Sequence, residues 1–381
     1  MRKVNLLQPQ KISFGLGCAA ECIDDLKTRG LKRVFILSID PLLDQLAPLV
    51  ADLKQAGYTV HLDTSITIEP SIGMFEQVLE TARDFEPDAV LGIGGGSSMD
   101  TAKLVAALHN SPQSVRDTFG IGQLTGRKTF LACLPTTSGT GSEVSPNAIL
   151  LDETEQLKKG IVSPYLVPDA AYVDPELTFS VPPQVTAATG VDALVHCIEA
   201  YANRFAHPII DLYALEGIRL IAANVVRAVE NGQDVEARTA LSLGSLYGGL
   251  CLGPVNTGAV HALAYPLGGE FHVAHGVSNS VLLPYVLEFN LPAAPQRYAN
   301  IALALGVEAG ATPEETAQRG LVKLRQLSAQ CRIPAGMSDL GVPEEAIPRM
   351  AESAMKVTRL LNNNVRELTI ADAEAIYRAA I

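Results

Sequence analysis

DAVLGIGGGSSMDTAK, residues 88–103, runs from an apolar stretch through a glycine turn into a helical pattern. DAVLGI (88–93) is short and almost continuously apolar, which suits a strand buried on both faces of a parallel sheet. Gly94, Gly95 and Gly96 let the backbone approach a ligand closely. Ser97 or Ser98 can cap the helix that starts there, and Ser97-x-x-Asp100 is close to a capping box. Exposed N–H groups at the positive end of such a helix suit a phosphate. The spacing is neither G-x-G-x-x-G nor a Walker A loop, since no G-K-[ST] follows.

On either side the pattern repeats. RVFILS (33–38), TVHLDT (59–64) and TFLACL (129–134) are further strand-like runs, and LLDQLAPLVADLKQAG (42–57) is helical with Gly57 as its stop. Such alternation predicts βαβ units and a doubly wound, Rossmann-like α/β domain over residues 1–183. A second polar loop, LPTTSGTGSEVSPN (134–147), follows the last of these runs. It offers the hydroxyls of Thr136, Thr137, Ser138, Thr140 and Ser142 around Gly139 and Gly141. Two such loops after buried strands suit a dinucleotide, one for the pyrophosphate and one near the nicotinamide or the substrate. A serine nucleophile is the rival reading, but G-T-G-S-E does not match G-x-S-x-G.

Pro182-Pro183 marks a change. From residue 184 to 381 the apolar positions recur every three or four residues, which predicts an all-helical domain. Thr312-Pro313-Glu314-Glu315 reads as a helix start, with a capping threonine and proline at the first position. Within TGVDALVHCIEAY, Asp192, His196 and Glu199 form a polar stripe beside an apolar face. His261 lies in an apolar helix that needs a reason to carry an imidazole. His275 precedes Gly276, with His272 three residues earlier. One carboxylate and three imidazoles would suit a divalent metal, Fe(II) or Zn(II) among them.

Composition narrows the function. The chain has 381 residues, 48% of them hydrophobic, and a net charge of −12. With no Lys/Arg-rich run and no Trp, nucleic acid is not an expected partner. Six scattered cysteines read as reduced thiols of a cytosolic protein. MRKVNLLQPQ lacks the apolar core of a signal peptide, and no stretch is long and apolar enough to span a membrane. A cytoplasmic protein without membrane contact is expected.

GGGSSMDTAK, LPTTSGTGSEVS, TGVDALVHCIEAY and HALAYPLGGEFHVAHGVSN together resemble the iron-containing (group III) alcohol dehydrogenases, over nearly the whole chain. The resemblance implies a dehydroquinate synthase-like architecture, with a Rossmann-like domain, a helical domain and the active site in the cleft between them. It implies that Asp192, His196, His261 and His275 hold a catalytic metal, usually Fe(II), with Zn(II) and Mn(II) suited to the same ligands. Gly94, Gly95, Gly96, Ser97 and Ser98 would hold the NAD(P) pyrophosphate, with Asp100 in the same turn. Thr136, Thr137 and Thr140 would line the cofactor cleft with Ser142 beside them, Ser145 and Asn147 would lie nearer the substrate, and Lys159 would reach the cofactor ribose.

Departures from the family pattern carry information. Many members have a second histidine four positions after the third ligand; here that position is Tyr265, so a proton relay would run through His272, ribose hydroxyls and water. The family's N-P-R reads Asn364-Val365-Arg366. An acidic residue after the second strand would favour NAD over NADP, and the slot falls on Ile39 or Asp40: an inward Asp40 would repel a 2′-phosphate and favour NAD, whereas Ile39 in the slot would make NADP possible. The expected activity is reversible hydride transfer between NAD(P) and a small primary alcohol, diol or hydroxyacid, in a homodimer or higher homo-oligomer. Maleylacetate reductase and dehydroquinate synthase are the alternatives within the same fold.

Overall fold

The structure, a computed structural model, describes residues 2–155 and 157–381. It divides into two compact units: Leu7–Thr137 with Gly141–Ser180, and Val181–Ile381 with Ser138–Thr140 and a short segment ending at Leu6.

The first unit contains strands β1 (Lys11–Phe14), β2 (Arg33–Leu37), β3 (Thr59–Asp63), β4 (Ala89–Gly94), β5 (Gly120–Ile121), β6 (Phe130–Pro135), β7 (Asn147–Asp152), β8 (Leu157–Val162) and β9 (Ala170–Val173). Helices α1 (Glu21–Thr28), α2 (Leu43–Gln55), α3 (Ile72–Phe85) and α4 (Gly96–Leu108) connect them. Six strands make a sheet in the order β1-β9-β6-β4-β2-β3, with every neighbouring pair parallel. The continuous apolar runs now have their reason. Phe35, Leu37, Val90, Leu131 and Cys133 feed one buried cluster, while Val34, Ile36, Leu91, Ala132 and Leu134 feed another. Successive side chains of a strand point to opposite faces, so a sheet covered on both sides needs apolar residues at every position.

From β2 the chain moves outward to β3, then returns past β2 to β4 and continues the other way to β6 and β9. The neighbours β2 and β4 therefore flank the point where strand order reverses, where α/β sheets bind ligands at their carboxyl ends. The glycine turn follows β4, and Ile39-Asp40 follow β2. Gly92 lets α4 settle on the sheet: a Cβ there would lie 2.8 Å from Ala102 Cβ and 3.1 Å from Met99 Cα. Sequence analysis did not foresee the second sheet, β5-β8-β7, in which β7 and β8 pair antiparallel.

The second unit is helical. It holds α5 (Pro183–Tyr201), α6 (Pro208–Glu230), α7 (Val235–Leu252), α8 (Ala259–Phe271), α9 (His275–Asn290), α10 (Pro295–Ala304), α11 (Pro313–Gln330), α12 (Ile347–Met355), α13 (Thr358–Leu361) and α14 (Ile370–Ala379) around one large apolar core. The expected cap of α11 is present, with Thr312 Oγ1 accepting from Glu315 N–H at 3.2 Å and proline in the first turn. Among the described residues no helix is long and apolar enough to cross a membrane.

Overpacking the seam between β4 and α4 tests this account. Gly92→Ala is expected to lower stability by about 1–3 kcal/mol, because the nearest atoms include backbone that cannot yield. Urea unfolding of the purified variant measures it; an unchanged midpoint would refute the close approach.

Candidate metal and nucleotide sites

Helix α5 carries Asp192 and His196 four residues apart on one face, α8 supplies His261, and His275 begins α9. Their candidate ligand atoms all lie within 4.8 Å of one another. The rings of His196 and His261 stack at 4.8 Å between centroids, and His261 meets His275 at 5.2 Å. Gly276 allows the start of α9 to touch α5, since a Cβ there would lie 2.6 Å from the Ala188 carbonyl oxygen. The side chain of Asp192 is 2% exposed and that of His275 32%, so the cluster is buried on one side and open on the other.

The hydrogen bonds around the cluster decide which atoms are left for a ligand. His196 Nδ1–H donates to the Gly139 carbonyl at 3.2 Å, and His261 Nδ1–H donates to Glu199 Oε2 at 2.6 Å. Asn279 Nδ2 donates to Asp192 Oδ1 at 2.7 Å and lies 3.1 Å from His275 Nε2. His261 Nε2, by contrast, is buried and has no hydrogen-bond partner among the described residues. A buried polar atom in that state needs an explanation, and a bound cation would supply one. Burial disfavours charge on Asp192, but His196, His275 and His261 outweigh it and hold the carboxyl below its ordinary pKa. Burial pulls the His196 pKa down, toward the neutral imidazole that ligates metals. The donor set, the buried lone pair and the partly open side fit a divalent ion with room for a further ligand.

His272 lies outside this cluster. It closes α8 in a left-handed conformation, φ 55°, with its side chain exposed. Tyr265, one turn beyond His261, is buried with Ala262 and Leu360. Asn364 exchanges hydrogen bonds with Asn290 at 2.9 and 2.7 Å, and Arg366 donates to the Phe289 carbonyl, so both brace the backbone.

In the first unit the start of the second predicted loop stands beside the glycine turn, because Thr136 N–H donates to the Gly94 carbonyl at 2.9 Å and extends the β4–β6 pairing, while Ser138–Thr140 of that loop belong to the second unit. The capping box is not formed. Gly95 is the N-cap of α4, with no side chain capping it among the described residues. Asp100 turns instead toward the second loop, accepting from Ser142 Oγ at 2.5 Å and from Ile149 N–H at 3.0 Å. One turn on, fully buried Lys103 donates to the carbonyls of Ser145 and Asn147 at 3.0 and 2.8 Å. Asp100 and Lys103 thus clamp the loop holding Ser142, Ser145 and Asn147. Lys159, on β8, pairs with Asp152 at 2.8 Å and Glu155 at 2.9 Å, which raises its pKa. Ile39 packs against the sheet core, whereas Asp40 is exposed.

The pattern Iron-containing alcohol dehydrogenase matches residues 9–175, and the pattern Fe-containing alcohol dehydrogenase family, C-terminal, matches residues 186–381. The chain belongs to the iron-containing alcohol dehydrogenase family. It is an oxidoreductase of that class. A long-chain-alcohol dehydrogenase of Geobacillus thermodenitrificans is 40% identical over 390 residues, covering 100% of this chain and 97% of the relative. The crystal structure of a 1,3-propanediol oxidoreductase superposes with a TM-score of 0.96 at 32% identity, covering 100% of both chains. Sulfoacetaldehyde reductase from Bifidobacterium kashiwanohense, solved with NAD+, superposes with a TM-score of 0.89 at 28% identity, covering 100% of this chain and 99% of that one. The family match favours the alcohol dehydrogenase reading over maleylacetate reductase and dehydroquinate synthase.

Glu199 and Asn279 are the contacts that residue reading did not assign. Glu199 was legible as part of the polar stripe with Asp192 and His196, but its partner on α8 was not. For this iron-type dehydrogenase a further test lies in Glu143, which burial pushes up to about 7 from 4.5. Between those two values the unfolded chain releases this proton while the folded chain keeps it, so stability falls as pH rises. Glu143→Gln is therefore expected to match the wild type near pH 4.5 and to gain a few kcal/mol over it above pH 7, at ~1.4 kcal/mol per pKa unit. Thermal melts of both proteins across that range measure the difference; a pH-independent difference would refute it.

Proposed function

We propose that this protein catalyses reversible hydride transfer between NAD and a small primary alcohol, diol or hydroxyacid, with Asp192, His196, His261 and His275 holding Fe(II). The observation that carries the reading is the four converging donors, with His261 Nε2 buried and unpartnered among them. Zn(II) and Mn(II) fit the same donors. An ion held there supplies Lewis acidity toward the substrate oxygen.

In this reading residues 1–183 serve the dinucleotide and residues 184–381 the metal. Gly94, Gly95, Gly96, Ser97 and Ser98 receive the pyrophosphate at the start of α4, where no side chain takes up the first N–H groups. Thr136, Thr137 and Thr140 line the cofactor, and Ser145 and Asn147 lie nearer the substrate. Asp100 and Ser142 act on the cofactor through the loop they brace. Lys159 carries its charge to the ribose from its place between two carboxylates. Tyr265 is buried, so proton release is assigned to exposed His272 and water. NAD is supported by the NAD+ bound to the sulfoacetaldehyde reductase; an Asp40 carboxylate turned toward the ribose would repel a 2′-phosphate, whereas Ile39 in that slot would admit NADP. Six buried free thiols suit a reducing cytoplasm, and a homodimer or higher homo-oligomer is the symmetric arrangement expected.

Following NADH absorbance over a panel of short alcohols and diols tests the central claim. Chelation is expected to abolish turnover and anaerobic Fe(II) to restore it, while His261→Ala stays inactive with an unchanged circular dichroism spectrum. Full activity after rigorous metal removal would overturn the reading. Asp40→Ser is expected to raise kcat/KM for NADP relative to NAD about tenfold, or ~1.4 kcal/mol. An unchanged ratio would place the discrimination elsewhere.

A further inference from the structure

We propose that Glu199 is a positioning residue that sets the tautomer of His261 and thereby the affinity of the metal site. The inference rests on the metal-site reading above. Glu199 follows Asp192 by seven residues and His196 by three, so all three share one face of α5. Its side chain is buried, and each carboxylate oxygen takes one donor. Oε1 accepts from Val260 N–H at 2.6 Å, and Oε2 accepts from His261 Nδ1–H at 2.6 Å. A Cβ on Gly258 would lie 3.3 Å from Oε1, so the carboxylate is closely hemmed in.

An ionised carboxylate only accepts, so the proton on His261 sits at Nδ1 and the lone pair at Nε2. Nε2 is the buried atom without a partner, 3.8 Å from Asp192 Oδ1. His196 obtains the same tautomer from a neutral acceptor, the Gly139 carbonyl, over a longer 3.2 Å. His261, unlike His196, is therefore backed by a carboxylate, the kind of partner that orients a ligating imidazole and strengthens it as a donor. Glu199 and Asp192 together bring two carboxylates to the site, enough to offset a dication.

The arrangement singles out glutamine as the informative replacement. The peptide N–H of Val260 has no alternative tautomer, so Glu199→Gln must keep its oxygen there. Its NH2 group then faces His261 Nδ1, which must become the acceptor. The proton moves to Nε2, the ligating position, and the lone pair needed by the metal is lost.

The test uses Co(II) as the probe, added anaerobically to metal-free full-length protein, with its Kd read by competition against a chelator and its visible d–d bands recorded. Wild type, Glu199→Gln, His261→Ala and the double variant form a cycle. Glu199→Gln is expected to weaken Co(II) binding 10–100-fold and to alter the d–d bands. In the His261→Ala background the same change is expected to add less than about threefold. Equal binding by wild type and Glu199→Gln, or equal weakening in both backgrounds, would overturn the inference. Should the glutamine variant not fold, Glu199→Asp, which shortens the reach to His261, is read in the same cycle with the same expectation. Wild type that binds no Co(II), or His261→Ala that binds as wild type does, would instead defeat the metal-site reading itself.

Discussion

The helical unit has to carry an aspartate and three imidazoles against an apolar core without stranding their polar atoms, and that requirement organises everything around them. A buried polar group left unpaired is costly, and a buried charge more so. Each of the four groups has a protein partner at one of its atoms: a backbone carbonyl for His196, a carboxylate for His261, and the Asn279 amide for both Asp192 and His275. Each partner also settles where the next element must lie. Gly139 has to reach α5, Val260 and His261 have to meet Glu199, and Asn279 has to face Asp192 one turn into α9. The helix packing and the ligand geometry are one solution to one problem.

A related requirement shapes the other unit with different residues. Lys103 and Asp100 come from the helix after the glycine turn, and burial works against the charged form of both. Their hydrogen bonds hold the end of a polar loop and the start of strand β7 that follows it. Asp100 takes the Ser142 hydroxyl and the Ile149 amide, and Lys103 takes two carbonyls. A well-packed apolar pair could be as stable, but it would make none of these hydrogen bonds to the loop.

Sequence periodicity made the large elements legible because burial on one face or two leaves a direct mark. RVFIL, TVHLD, AVLGIG and FLACLP became strands, and the helical stretches after Pro183 became helices with boundaries shifted by only a few residues. NAILLD, which forms β7, was missed despite its alternating burial, since its partner strand LKKGIV is polar and short of apolar residues. The four candidate ligands were visible because aspartate and histidine in apolar helices conflict with their surroundings. Glu199 posed the same conflict but met its partner sixty-two residues away, and no local pattern encodes such a pairing. Asn279 was hidden for a different reason: an amide in a helix is unremarkable until its neighbour is known to be a buried carboxylate.

The start of α4 departs from a local rule. Ser97 and Ser98 stand where a capping hydroxyl would be expected, and Asp100 where a capping box would close. None is used so. Ser98 is buried with its hydroxyl against Gly94, close enough that a Cβ on that glycine would sit 2.6 Å away, and Asp100 faces inward. The helix begins at Gly96, two residues earlier than a Ser97 cap would place it, on a glycine cap that supplies no side-chain acceptor. A side-chain cap is worth about 1 kcal/mol, and this chain has forgone it with suitable residues at hand. Among the described residues no side chain caps these first N–H groups, and Gly94, Gly95 and Gly96 carry no side chains of their own. The missing cap and the three consecutive glycines in place of G-x-G-x-x-G spacing act in one direction: a bare backbone at the positive end of a helix is chemically suited to an anion.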